Sequence, residues 1–502
     1  VTTPTAYGVG VLNSIKPAQA FGEELVTNGN FATDSDWTKE GAWTISGGVA
    51  SVISSTNDRL YQSISLEADK KYLLSINVVS ISAASVRFRF GSNGSAANLP
   101  EITTPGIHTF TSKPLGGTSS VGIFAVSGTT ATIDSVSVVE VTDADFDFTR
   151  TSSATRVNPD YLIETVATDI PRLDYTNGTA SILLEPASTN LINYSQAISN
   201  TPVKNGTFVD NAAISPDGTL NATKLTATTT DPFFYQNITF AAATYTSSIY
   251  VKGIGDSIGK EFRIAISSST TAPKLIVPSE WTRFEFTATV GAGTASTGIE
   301  ITDPAIVGDE VLVWGWQVEQ QSYATSYIPS LSGSTVTRAA ETLNNAGNSD
   351  LINSTEGVLY AEISALANDG TTRAITVSDG TNNNRIQLYY SNTANSLKVY
   401  SSTGSVQQIS TTISLTDISI LSKIAVSWKL NDFKVFVNGT SVYSNAIFTV
   451  PPVNTFSAID FSEPLLINNF YGKCKTVAVF SESLSDTELA CLTSTNNREI
   501  FL

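Results

Sequence analysis

The chain repeats itself once, and that repeat constrains its fold more than any other feature. Tyr61-Gln62-Ser63-Ile64 returns as Tyr235-Gln236-Asn237-Ile238. Downstream, Tyr72 with Ser75-Ile76-Asn77-Val78 returns as Tyr245 with Ser248-Ile249-Tyr250-Val251, at the same offsets. The gap between the two tyrosines of a copy differs by one residue, as a loop insertion would produce. Each copy continues in period-2 alternation, through Ile107–Thr111 and Ala131–Val138 in the first and Trp281–Phe286 and Glu310–Glu319 in the second. Alternation over such lengths marks half-buried strands, and several of them at turn-punctuated spacing mark a β-sandwich. Residues 23–142 and 186–330 are therefore expected to form two copies of one jelly-roll module. A β-rich connector, 143–185, is expected as a small meander packed between them.

The 502 residues exceed a single hydrophobic core and suit roughly three domains. Only 15% are charged, and abundant Ser, Thr, Gly, Asn, Val and Ile favour short strands and an all-β fold of tandem sandwiches. A net charge of −17 with no Lys/Arg run leaves no clustered positive field, which argues against nucleic acid as a partner. No run of about 18 apolar residues exists to insert into a membrane. Val1 to Ala20 lacks the basic start and continuous apolar run of a secretion signal. Cys474 and Cys491 are too few for a disulfide scaffold or a zinc site, so two reduced, mostly buried thiols are expected.

The last third carries a different strand series: Glu356–Glu362, Arg385–Tyr390, Lys423–Trp428, Phe433–Gly439, Leu465–Ile467 and Gly472–Phe480. Asn438-Gly439 supplies the positive φ of a type I′ hairpin. Ser485 and Glu488 read as the capping box of a short helix. Residues 351–493 are expected to be a third sandwich, after a linker at 331–350 and before a tail at 494–502.

The opening Leu25-Val26-Thr27-Asn28-Gly29-Asn30-Phe31, with Trp37, Trp43 and the repeated strands, resembles jelly-roll carbohydrate-binding modules of bacterial glycanases and phage tail proteins. The C-terminal series resembles the concanavalin-A-like lectin/glucanase sandwich. The connector runs through Phe148–Asp160, Leu162–Glu164, Pro171–Tyr175 and Leu183–Ile192. With Trp316–Glu319, Tyr323–Pro329 and Val336–Ala340, it is similar to a segment recurrent in tail and fibre proteins of tailed bacteriophages. The resemblance implies a virion protein assembled in the host cytoplasm and released by lysis. Residues 1–22 would attach it to other virion proteins, host surface glycans would be its ligands, and a homotrimer would be its assembly.

Little catalytic chemistry is visible. A single histidine, His108, excludes His-based acid–base catalysis and multi-His metal sites by count. No phosphate-binding Gly loop occurs. A glycosidase needs only two placed carboxylates, but the Glu-x-Asp-x-x-Glu strand of glucanases with the concanavalin-A-like fold is missing. Glu356 and Glu362 merely share a strand face. The chain is expected to be non-enzymatic and to require no cofactor. Asp143, Asp145 and Asp147 alternate, which offers three carboxylates to a structural calcium ion or simply makes a polar strand face.

For sugar binding the question is aromatic platforms, because a pyranose ring presents an apolar C–H face. The candidates are Trp43, Phe234 and Tyr235, Trp314 and Trp316, and Tyr389 and Tyr390. In Phe233-Phe234-Tyr235 adjacent rings must point to opposite faces, whereas Trp314 and Trp316, two apart, are expected on one face. Large aromatics mainly supply buried area, so a core or interface position is the default for each. Two functions follow: an adsorption fibre that holds host glycans, or an architectural head or tail decoration.

Overall fold

The computed structural model describes residues 20–66, 72–91, 97–112, 119–142, 146–176, 178–267, 274–301 and 305–494. With 54% strand and 3% helix it is all-β, as the composition predicts. The N-terminal anchoring segment expected at 1–22 lies almost wholly outside the described residues. So do Asp143, Asp145 and the tail from 495 onward.

Ten strands build the first sandwich. They are β1 (Thr38–Glu40), β2 (Thr44–Ser46), β3 (Val49–Ile53), β4 (Asp58–Ile64), β5 (Tyr72–Ser82), β6 (Val86–Gly91), β7 (Ala97–Ile102), β8 (Gly106–Ser112), β9 (Ser119–Ala125) and β10 (Thr130–Thr142). One sheet runs β2-β3-β10-β5-β8, the other β1-β4-β9-β6-β7, and Ala20–Glu24 adds a strand against β10. The second sandwich has β11 (Val203–Asn205), β12 (Thr207–Ile214), β13 (Leu220–Thr226), β14 (Phe233–Phe240), β15 (Ala243–Ile254), β16 (Glu261–Ala265), β17 (Leu275–Ile276), β18 (Thr282–Val290), β19 (Gly293–Glu300) and β20 (Glu310–Glu319). Its sheets run β12-β13-β20-β15-β18 and β11-β14-β19-β16-β17. Each of the ten numbered strands of the first has its counterpart ten numbers later, in the same order and sheet.

The repeated residues do the same work twice. Tyr72 and Tyr245 open matching strands and sit in their cores. The Gln62 amide accepts from the Thr27 amide and donates to its carbonyl, both at 2.8 Å. Gln236 accepts from the Asn193 amide at 3.1 Å and donates to the Leu191 carbonyl at 3.0 Å. In each module a buried glutamine thus satisfies the backbone of the incoming chain, where a leucine would leave a donor and an acceptor stranded.

The C-terminal sandwich has a five-stranded sheet in the order Val406–Ser414, Ser396–Thr403, Arg385–Tyr390, Arg373–Ser378, Ala458–Asp460. Facing it is a seven-stranded sheet in the order Arg172–Asp174, Ser181–Leu184, Gly472–Phe480, Glu356–Ala365, Ser422–Lys429, Asp432–Val437, Thr440–Asn445. Its first two strands come from the connector, which is therefore not simply a meander between the two jelly rolls. Ile182 pairs with Cys474, and Leu173, Ile182 and Leu184 enter the C-terminal core because their alternate residues are apolar. Linker strands are used likewise: Thr342–Asn344 pairs with Asp147–Thr149, and Val336–Arg338 pairs with Ser188–Asn190. The first sandwich forms one compact unit, and the second and C-terminal sandwiches belong to the other.

Two local expectations hold in detail. Asn438 and Gly439 have φ of 48° and 84° between strands that pair Val437 with Thr440. The helix Asp486–Thr493 has Ser485 as its N-cap, with the reciprocal Glu488 contact. Both cysteines are free, but only Cys474 is buried. Cys491 is exposed on the outer side of the helix.

Candidate functional site

The sheet β11-β14-β19-β16-β17 alternates, so Phe234 points into the second core and Phe233 and Tyr235 point out. The two outward rings stack, with centroids 5.4 Å apart and planes 21° apart. Beside Tyr235 on β19 stands Gly298, and beside Gly298 on β16 stands Ala265. A Cβ at position 298 would lie 2.1 Å from the Phe234 carbonyl oxygen and 2.5 Å from Tyr235 Cβ. Glycine is thus required, and the missing side chains leave a groove of about 200 Å³ along the sheet.

Polar groups rim this groove. Glu300 stands between Phe233 and Arg263 in register, and Asp231 and Ser296 line the ends. The Ser296 hydroxyl donates to Asn237 Oδ1 at 2.8 Å. An aromatic platform, an open floor and carboxylate acceptors can stack a sugar ring and accept its hydroxyl hydrogens. Gly298 and Glu300 escape sequence reasoning, since only the cross-strand register brings them to Phe233 and Tyr235. Alignment of Phe233-Phe234-Tyr235-Gln236 on Arg59-Leu60-Tyr61-Gln62 is the signal that marks the position.

Of the predicted aromatics, Tyr235 and Tyr389 keep an accessible part, and the others are core. Phe234 packs edge-on to Trp316 at 5.2 Å inside the second sandwich. Trp316 and Trp314 do not share a face. Tyr250 pairs with Trp314 but Ser248 with Gln317, so β20 carries an extra residue, and Gly315 sits there at φ +67°. This bulge resets the alternation. Trp314 consequently leaves on the opposite side, 4.5 Å from Tyr327, in a cluster closed by Ile163 of the connector. Trp43 belongs to the first core, and Tyr390 lies in the C-terminal core with its hydroxyl donating to the Ile363 carbonyl at 3.2 Å. Tyr389 is half-buried on the outer face of the five-stranded sheet. Burial raises its hydroxyl pKa, helped by Glu463 and opposed by Arg385. It lies far in the chain from the Tyr235 groove and adds nothing to it. Asp147 is exposed and accepts from the Asn345 amide at 3.1 Å. Among the described residues no three Asp, Glu, His or Cys side chains gather as metal ligands.

The connector residues have another use. Arg150, Arg172 and Arg338 meet Glu185 and Glu341 in a cluster of buried side chains. Glu341 accepts from Arg150 at 2.7 Å, from Arg172 through both of its oxygens, and from the Glu185 amide at 2.9 Å. Glu185 accepts from Arg338 at 2.7 Å and Arg172 at 2.8 Å. Burial pushes the Glu185 carboxyl up, but Arg338 and Arg172 outweigh it and hold the group at about 2. Nearby, burial raises the pKa of Glu319, which accepts from Ser188 and Thr325 and has no cationic partner among the described residues. This cluster joins connector and linker, and it reaches the second sandwich through Ser326, whose hydroxyl accepts from Arg172 and donates to Glu185.

Residues 346–490 match the family profile described as "Concanavalin A-like lectin/glucanases superfamily" (Laminin_G_3). No curated protein sequence matches the chain. Solved structures with similarity include a native heptameric SAP-like pentraxin from Limulus polyphemus, at 12% identity, 31% of this chain, 76% of that chain and TM-score 0.26. Domain 4 of AbnA, a GH43 extracellular arabinanase from Geobacillus stearothermophilus solved with arabinotriose, is similar at 10% identity over 35% and 84%, TM-score 0.26. The tandem CBM22 domains of Xyn10C from Paenibacillus barcinonensis are similar at 12% identity over 61% and 99%, TM-score 0.21. Family match and strand order together make the C-terminal sandwich a concanavalin-A-like lectin/glucanase domain.

Proposed function

We propose that this chain is a non-enzymatic glycan-binding protein, and that it serves as a fibre or tail component of a tailed phage that adsorbs to host surface sugars. The groove at Phe233, Tyr235 and Gly298 carries the reading. It pairs a stacked aromatic platform with a side-chain-free floor and carboxylates at hydroxyl-bonding positions. A lectin-like domain at residues 346–490 is consistent with it. The phage particle rests on the connector pattern that resembles tail and fibre proteins. Assembly as a homotrimer would let weak sites act together, with residues 1–22 attaching to other virion proteins and any calcium held near Asp147.

One observation favours the architectural alternative: five of the seven aromatics that sequence offers as platforms are buried in cores. A glycan array probed with the full chain, with and without calcium, separates the two. Selective retention of oligosaccharides supports adsorption. A blank from folded oligomer supports decoration alone.

A further inference from the structure

The outer face of the first sandwich occupies the same place as the Tyr235 groove but has diverged in charge. Register on β4, β9 and β6 sets Tyr61 beside Gly122 and Gly122 beside Arg89. This is the same row as Tyr235, Gly298 and Ala265 on β14, β19 and β16. The next row is Arg59, Phe124 and Arg87, where the second sandwich has Phe233, Glu300 and Arg263. Two guanidiniums therefore stand where the second module has an aromatic ring and a methyl group, and an aromatic ring stands where it has a carboxylate.

The arginines are held in place and remain available. Both Arg59 and Arg89 lie against the Phe124 ring, 5.8 and 5.6 Å from its centroid. Arg87 is engaged by Glu101, whereas Arg59 has, among the described residues, only a long contact to Glu40, 3.9 Å with both ends exposed. Arg89 has no carboxylate partner among the described residues, and its Nε is buried without an acceptor. Gly122 keeps the floor open, since a Cβ there would stand 3.0 Å from Tyr61 Cβ. Arg59, Tyr61, Arg89 and Phe124 line the same depression.

We infer that this face binds a carboxylated sugar, a uronate-type residue, with its ring on Tyr61 and its carboxylate on Arg89 and Arg59. A planar guanidinium fork matches a carboxylate in two parallel hydrogen bonds, and stacking of that fork on Phe124 fixes its orientation. In a chain of net charge −17 such a positive face is local, and it selects anions that the rest of the surface repels. The inference rests on the reading of these outer faces as glycan sites, and it assigns the two modules ligands of different charge.

The test titrates full-length protein with galacturonate oligomers, their neutral methyl esters, neutral oligosaccharides and dextran sulfate. The variants are Arg89→Ala, Arg89→Lys, Tyr61→Ala and Tyr235→Ala, each checked for folding by its thermal melt. Galacturonate is expected to bind and its ester to bind at least about tenfold more weakly. Arg89→Ala and Tyr61→Ala should each lose about tenfold, Arg89→Lys should lose part, and Tyr235→Ala should lose the neutral oligosaccharides. Equal binding of acid and ester overturns the inference. So does wild-type affinity in folded Arg89→Lys, or capture of dextran sulfate alone. If galacturonate is ignored while neutral sugars bind through Tyr235, this inference falls and the general glycan reading stands. Galacturonate binding through Arg89 with no neutral sugar retained would leave the first module as the only glycan site.

Discussion

Glu341→Gln swaps one oxygen for an amide and should be among the costliest substitutions of its size in this protein. The Glu341 carboxylate accepts four hydrogen bonds in a fully buried site, three of them from Arg150 and Arg172. A glutamine keeps one accepting oxygen and turns an N–H toward groups that themselves donate. It also leaves three guanidiniums facing Glu185 alone. Breaking a buried ion pair by neutralising one partner costs about 3–5 kcal/mol, which agrees with the loss of about two charge-assisted hydrogen bonds. Glu356→Gln is the control, because its partner Lys429, at 3.0 Å, is half exposed, and such a pair is worth at most about 1 kcal/mol. Urea unfolding followed by tryptophan fluorescence reads both, with buried Trp314, Trp316 and Trp428 reporting the larger unit. A Glu341→Gln loss no larger than that of Glu356→Gln would refute the view that this cluster holds connector, linker and second sandwich together.

Acid should act through the same cluster. Glu185 is held at about 2 against an ordinary value of 4.5, so its stabilisation, about 3 kcal/mol, is present above pH 4.5 and lost as pH falls toward 2. Asp174 adds to this with the same sign, because Lys473 and hydrogen bonds outweigh its burial. Fluorescence-monitored acid titration should show the larger unit losing stability across that window, and a flat response would contradict the assignment. Asn438→Ala should cost about 1–2 kcal/mol in thermal melts, because it combines a left-handed backbone with loss of the 2.9 Å bond from the Lys423 amide. An unchanged melt would mean that the hairpin does not depend on this turn.

What could be read from sequence was whatever alternates or turns locally. The repeat yielded two sandwiches of identical strand order, because Tyr72 and Tyr245 and the two glutamines keep the same neighbours. Asn438-Gly439 and the Ser485–Glu488 box were legible for the same reason, since their partners are a few residues away. Alternation failed at Trp314 and Trp316 because one left-handed glycine between them inserts a bulge, which no period reveals. It also could not show that Ile182 joins the sheet of Cys474, nearly three hundred residues on. The groove stayed hidden because Gly298 and Glu300 reach Tyr235 only through cross-strand pairing, and a glycine's contribution is the space that it leaves.

The most direct test is the dissociation constant of full-length Tyr235→Ala for a neutral oligosaccharide retained on the array, measured beside wild type and folded Trp316→Phe. Truncation of an aromatic anchor costs about 2 kcal/mol or more, so Tyr235→Ala should bind at least about thirtyfold more weakly while Trp316→Phe stays near wild type. Equal affinity in Tyr235→Ala and wild type would contradict the groove as the glycan site.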